Sequence, residues 1–225
     1  MNARLDIEQA RFNMVEQQIR TWEVLDPEVL QLLYAVRREE FVPPSCRDLA
    51  FSDLEIPLAP GAGPTQRMWP PKLEARVLQE LAVRKTETVL EIGTGSGYLT
   101  ALLAHRAHHV HSLEIAPELA QLASRNLARA GVDNVSLEVA DGSRGWAARA
   151  PYDVIVVTSS LPVLPHELAS QLRPHGRLFA VVGDPPVMAA RVVSCSADGS
   201  HAHRDLFETS LAPLVNAAQP ERFRF

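Results

Sequence analysis

The sequence predicts an α/β fold: an open, doubly wound sheet with helices on both faces and a helical N-terminal extension. Three observations carry that prediction. Val89-Leu90-Glu91-Ile92 runs straight into a glycine turn, Gly93-Thr94-Gly95-Ser96-Gly97, and then into a helix. Short apolar runs at 109–114, 135–139, 152–157 and 178–182 alternate with helical stretches, as a parallel sheet requires. The chain has 225 residues, 46% of them hydrophobic, enough for one α/β domain with an ordinary core.

Residues 5–21 are predicted helical, with Met14, Val15, Gln18 and Ile19 turned inward. Asp26-Pro27-Glu28 reads as a helix start, and Val29, Leu30, Leu32, Leu33 and Val36 supply its apolar face. That helix is expected to end in Arg37-Arg38-Glu39-Glu40, read as a solvated face. Residues 72–83 carry Leu73, Val77, Leu78 and Leu81 at helical spacing. The first strand, 87–92, is apolar enough to be covered on both faces. Glu91 is out of place there, because a buried carboxylate is costly without a cationic or hydrogen-bonding partner. The next helix ends at Ala107, and 109–114 is the second strand.

A helix at 117–130, with Gly131 just past its end, leads to the third strand, 135–139. Residues 152–157 form the fourth strand, and Thr158-Ser159-Ser160 follows it as a loop. A short helix at 165–171, a turn at 173–177 and the fifth strand at 178–182 come next. Residues 187–196 and 200–209 alternate as a strand pair turning near Asp198-Gly199. The tail ERFRF is amphipathic and is expected to close an edge or a partner surface.

Composition narrows the function classes. A net charge of −5 speaks against a broad electrostatic grip on nucleic acid. Cys46 and Cys195 stand far apart in no metal or redox spacing. The opening MNARLDIEQARFN has no apolar signal core, and no run reaches membrane-spanning length, so a soluble cytoplasmic protein with no membrane attachment is expected. His105, His108, His109 and His111 lack an acidic or cysteine partner at ligand spacing. No metal is expected, and they are read as partly exposed edge residues.

The glycine turn lets backbone approach a ligand closely, with a helix N-terminus behind it. Glu114 ends the second strand, where a carboxylate can accept two ribose hydroxyls at once. A dinucleotide fingerprint, G-x-G-x-x-G, fits poorly, since the glycines are 93, 95 and 97 and residue 98 is Tyr. The pattern E-x-G-x-G-x-G instead resembles the first motif of class I S-adenosylmethionine-dependent methyltransferases. That resemblance implies a Rossmann-like methyltransferase sheet, S-adenosyl-L-methionine as cofactor and S-adenosyl-L-homocysteine as product. It implies that Glu91 helps bind the ammonium end of the cofactor. Gly93, Thr94, Gly95, Ser96 and Gly97 would lie against its methionine part. Asp141, followed by Gly142, would hold the adenine amino group, although an Asp-Gly pair is also an ordinary turn.

A narrower resemblance follows from the order of several motifs. MVEQQIR (14–20), DPEVL (26–30) and REEFVPP (38–44) resemble the amino-terminal region of protein-L-isoaspartate O-methyltransferases. Ala50-Phe51-Ser52-Asp53 resembles that family's A-Y-x-D step, Ala140-Asp141-Gly142 its G-D-G step, and Thr158-Ser159-Ser160 its T-A-A step. The likeness runs roughly to residue 185. It implies a helical extension with the substrate loop at 1–71, and an S-adenosylmethionine-binding α/β domain at 72–225, in one compact unit. The implied partner is a protein or peptide carrying an isoaspartyl residue.

The departure lies at 56–71, IPLAPGAGPTQRMWPP, where the family reads P-[LI]-x-x-G-x-G-Q-T-I-S-Q-P. Counting back from Glu91 places Arg67, Met68 and Trp69 over Thr, Ile and Ser, so the family's serine position is Trp69 and no catalytic residue is assigned. The chain is also a few residues longer between Asp53 and Pro71; a shifted gap brings Thr65 near. In one reading Arg67 holds a substrate carboxylate as a bidentate partner beside Met68 and Trp69. In the other, Met68 and Trp69 pack the loop down and Arg67 points to water. Thr158, Ser159 and Ser160 are candidate polar contacts to substrate or simply cap the strand end, and none has an evident base partner.

The function expected is S-adenosylmethionine-dependent methylation of a carboxylate on damaged aspartyl residues, a protein-repair reaction. Positioning would provide most of the rate. The alternatives are a related methyltransferase with a small-molecule acceptor seated on Trp69 or another protein acceptor, and a catalytically silent cofactor-binding protein. An NAD-type dehydrogenase is disfavoured by the glycine spacing.

Overall fold

The computed structural model describes residues 3–220; the ERFRF tail lies outside them. Helix α1 (Ala3–Asn13) widens into a π-type stretch, Met14–Ile19, that buries Met14, Val15 and Ile19 as expected. Helix α2 (Pro27–Ala35) starts where the sequence indicates, with the Asp26 carboxylate accepting from the Glu28 and Val29 amides. Strands β1 (Ile56–Pro57) and β2 (Arg67–Met68) pair antiparallel as a small ribbon ahead of α3 (Pro71–Leu81).

The main sheet contains β3 (Thr88–Ile92), β4 (His109–Glu114), β5 (Val135–Val139), β6 (Tyr152–Leu161), β7 (Leu172–Asp184), β8 (Val187–Cys195) and β9 (His201–Glu208). Its order is β5-β4-β3-β6-β7-β8-β9. Strands β3 to β7 pair in parallel, and β8 and β9 join antiparallel. Helices α4 (Tyr98–Arg106) and α5 (Pro117–Arg129) carry the chain outward from β3 to β5. The chain then returns to lay β6 on the other side of β3. The strand order therefore reverses beside β3, where an open α/β sheet leaves a crevice at its carboxyl ends.

One sheet face buries Val89, Val110, Val154, Val156 and Phe179 in a cluster with Met14, Leu33, Val77 and Leu102, so the N-terminal segment shares a core with the sheet. The other face buries Leu90, Ile92, Leu113, Ile155 and Leu178. It is covered by short pieces, chiefly α6 (His166–Ala169) and the stretch that brings in Trp146 and Ala150. Both faces are covered, but the long helices lie on one.

Five local expectations are corrected. Strand β6 continues through Thr158-Ser159-Ser160 to Leu161, because the late segment pairs with it: the Ser160 amide donates to the Ala212 carbonyl and the Leu214 amide to the Ser160 carbonyl. The turn at 173–177 is an irregularity within β7, with His175 at φ +66°, and α6 is only four residues long. His109 and His111 sit on β4, one strand in from the edge, with rings 4.7 Å apart.

The fifth correction concerns the run 37–40, which is not a solvated face. Arg38 and Glu39 are buried, at 1% and 6% exposure, while Arg37 remains outside. Glu39 pairs with buried Arg11 of α1. Arg38 reaches the carbonyls of Ala50 and Trp69 and pairs with Glu74 of α3. A planar guanidinium with five donors suits such a buried junction. No helix among the described residues is long and apolar enough to cross a membrane.

Candidate active site

The glycine turn is fastened from several directions. Gly93, Gly95 and Gly97 all take left-handed backbone conformations. At Gly93 a side chain is excluded by contact as well, since a β-carbon there would stand 2.1 Å from Thr158 Oγ1. The Thr158 hydroxyl lies 2.9 and 2.8 Å from the carbonyls of Ile92 and Gly93 and shares its one proton between them. Asn126 of α5 donates to the Ser96 carbonyl at 2.9 Å. The Gly93 amide donates to the Leu113 carbonyl at the end of β4.

A crevice of about 940 Å³, counting its open mouth, lies over this turn. Gly93, Thr94, Gly95 and Ser96 line it; Gly97 sits behind, starting α4. Glu114 also lines it, with Oε2 accepting from the Gly95 amide at 2.9 Å and Oε1 from the Ala116 amide at 3.0 Å. Each carboxylate oxygen has a further lone pair for a ligand hydroxyl. Asp141 and Gly142 form the wall beyond β4. Asp141 accepts from the Ser143 amide and from Asn216, both at 2.9 Å. Partial burial pushes its carboxyl up, but those donors prevail and hold it below the usual range. A β-carbon on Gly142 would stand 2.6 Å from Ile92 Cγ2, so the wall approaches the floor closely here.

Glu91, the residue expected at the ammonium end of the cofactor, lies under the turn. It does not line the crevice; its carboxyl is fully buried beneath the turn. Oε2 accepts from the hydroxyls of Ser112 and Thr100 at 2.6 and 2.5 Å, and Ser112 in turn meets Thr94 at 2.6 Å. Burial raises its pKa to about 8. The strand alternation explains the placement: Leu90 and Ile92 face one side of β3, and Glu91 faces the helices on the other.

Across the crevice from Asp141, Arg67 is exposed at the mouth and its side chain makes no hydrogen bond among the described residues. Met68 and Trp69 are 4% and 6% exposed, and the Trp69 ring meets Phe179 edge-on at 6.1 Å. Both still contribute to the crevice wall, with Thr65 at the rim. Thr158 and Ser159 line the same space, whereas the Ser160 hydroxyl turns away to the Leu211 carbonyl.

The sequence reading missed Glu74, a buried crevice residue whose carboxyl pairs with Arg38. Burial raises it to about 7 against the pull of that guanidinium. Its position was the available signal, because Glu74 stands four residues before Leu78 on the apolar stripe of α3.

A family model described as protein-L-isoaspartate(D-aspartate) O-methyltransferase matches residues 9–219 of this chain. The chain belongs to that family. Among its relatives, a protein-L-isoaspartate O-methyltransferase from Methanoculleus marisnigri is 43% identical over 173 residues, 77% of each chain. One from Protochlamydia amoebophila is 38% identical over 204 residues, covering 90% of this chain and 95% of its own. The fold is also similar to a Plasmodium falciparum crystal structure, assigned as a protein-L-isoaspartate O-methyltransferase in complex with S-adenosyl-L-homocysteine. That match has a TM-score of 0.76 and 18% identity, and covers 90% of this chain and 96% of the other. As a protein-L-isoaspartate O-methyltransferase family member the chain is a methyltransferase, and S-adenosylmethionine is the methyl donor that membership implies. Within the family sheet the β1–β2 ribbon and the residue after it present Arg67, Met68 and Trp69 to the crevice.

Proposed function

We propose that this chain methylates the carboxylate of an isoaspartyl residue in a protein or peptide, with S-adenosylmethionine bound along the glycine turn. The observation that carries this reading is the crevice at the strand-order reversal, where Glu114 is locked between the amides of Gly95 and Ala116. The donor set fits the cofactor: Glu114 offers two oxygens to ribose hydroxyls, and Asp141 offers a carboxylate to the base amine. Gly93 and Gly142 let the backbone of floor and wall pack directly on Thr158 and Ile92, where a β-carbon would not fit.

The bound cofactor supplies an electrophilic methyl group on a sulfonium. An acceptor carboxylate is ionised at neutral pH and requires no base, so the chain's contribution is placement and exclusion of water. Met68 and Trp69 provide the apolar wall, and Arg67 provides a cation at the mouth for a carboxylate. The packing of Trp69 on Phe179 supports a closed loop more than an acceptor stacked on the indole. A cytoplasmic setting is consistent with two free cysteines, Cys46 and Cys195.

The test is methyl transfer to an isoaspartyl peptide, with the aspartyl isomer as control. Base-labile methyl ester on the first peptide alone is the expected result. Cofactor binding by calorimetry without ester on either peptide would reject isoaspartyl as the acceptor.

A further inference from the structure

The crevice is lopsided in charge. Its lining carries three carboxyls, Glu74, Glu114 and Asp141, and one guanidinium, Arg67, at the mouth. Two of those carboxyls lie toward β4 and β5 and already hold protein donors. That is the side where strand-end acids take a nucleoside. Glu74 stands on the opposite side, on α3 beside Trp69, whose ring touches Phe179 of β7.

Glu74 is 2% exposed, and Arg38 pairs with its Oε2. Its Oε1 makes no hydrogen bond among the described residues. A carboxylate this desolvated is stabilised by a cationic donor on its remaining oxygen. Arg38 is fixed behind it by the carbonyls of Ala50 and Trp69 and by the Tyr98 ring, 5.0 Å from the guanidinium carbon. The carboxyl is therefore held in one orientation. Glu91 also has an unbonded oxygen, Oε1, but it is fully buried and does not line the crevice.

We propose that Glu74, through Oε1, binds the α-ammonium group of S-adenosylmethionine. This rests on the cofactor reading given above. A ligand with its ribose at Glu114 and its base toward Asp141 extends its amino-acid end along the turn, toward Trp69 and α3. An ammonium there carries three donors, and one of them meets Oε1. The site thereby recognises the amino-acid end of cofactor and product alike, independently of the sulfonium charge.

The test is calorimetry on the full chain with three probes: S-adenosylmethionine, S-adenosylhomocysteine and 5′-methylthioadenosine, which lacks the amino-acid end. Glu74→Gln is expected to weaken the first two by the same factor, roughly ten- to a hundredfold, as for loss of a charged hydrogen bond. Affinity for 5′-methylthioadenosine should not change. The paired R38M/E74M variant leaves neither charge buried alone and is expected to show the same split. A loss confined to S-adenosylmethionine would indicate a sulfonium contact and overturn the proposal. So would no loss, or an equal loss for all three probes. Wild-type chain that bound none of the three would remove the cofactor reading itself, a result distinguishable from failure at Glu74 alone.

Discussion

Thr158 Oγ1 occupies the space that a β-carbon on Gly93 would need, 2.1 Å away, and donates to the Gly93 carbonyl at 2.8 Å. The end of β6 therefore holds the turn at the end of β3 in place. Gly93→Ala must move Thr158 or the turn, in addition to adopting φ +94°. It is expected to lower S-adenosylmethionine affinity by at least about tenfold and stability by roughly 1–3 kcal/mol. Thr158→Val keeps the shape, loses the hydrogen bonds and costs about 1 kcal/mol. Calorimetry and urea unfolding read both, and an alanine variant that bound normally would refute the packing argument.

Arg38 is the charge on which three segments converge. Arg38→Ala leaves Glu74 buried without a partner and frees the carbonyls of Ala50 and Trp69. The expected destabilisation is about 3–5 kcal/mol. Arg37→Ala, next to it but exposed, is expected to stay within about 0.5 kcal/mol of wild type. Similar denaturation midpoints for the two variants would contradict the burial of Arg38.

Burial raises Glu91 to about 8 and Glu74 to about 7 from an ordinary 4.5. The folded chain thus binds these protons more tightly than the unfolded chain does. Their contribution is fully present below pH 4.5 and is lost as pH rises through 7 and 8. Glu91→Gln keeps a neutral polar group and removes one titration. Relative to wild type, the variant should therefore gain stability between about pH 5 and about pH 9, by on the order of a few kcal/mol. Chemical denaturation at the two pH values measures this, and parallel pH profiles would show that Glu91 is ionised throughout.

Arg67 tests the acceptor side. Arg67→Ala is expected to raise KM for an isoaspartyl peptide by about tenfold, with kcat changed less than threefold, as for an exposed charge that binds substrate in ground and transition state alike. Cofactor affinity should stay unchanged. An unaltered KM would return Arg67 to the solvent and leave the mouth without a carboxylate partner.

The sheet, the glycine turn and the two strand-end acids Glu114 and Asp141 were legible because each depends on local pattern: apolar runs, a turn needing positive φ, and an acid at the run's end. Glu91 was legible as an anomaly but not in direction. Which side of a doubly covered strand a residue faces is fixed by neighbours far away in sequence, here Thr100 and Ser112. Arg38 and Glu74 failed for a related reason. A charged run after a helix reads as surface unless its partner is known, and that partner lies 36 residues on. The late segment 211–214 carried little periodicity, yet its pairing with Ser160 extends β6 past the predicted end.

The small β1–β2 ribbon is anchored at its base, where Ile56 faces Met68 and the Leu58 amide donates to the Gln66 carbonyl, while Gly61 and Gly63 at its tip have open space around them. Residues can thus be inserted or lost at the tip without shifting any strand of the main sheet. The reach of this tip over the mouth of the crevice can therefore change with its length while the glycine turn at the end of β3 stays where it is.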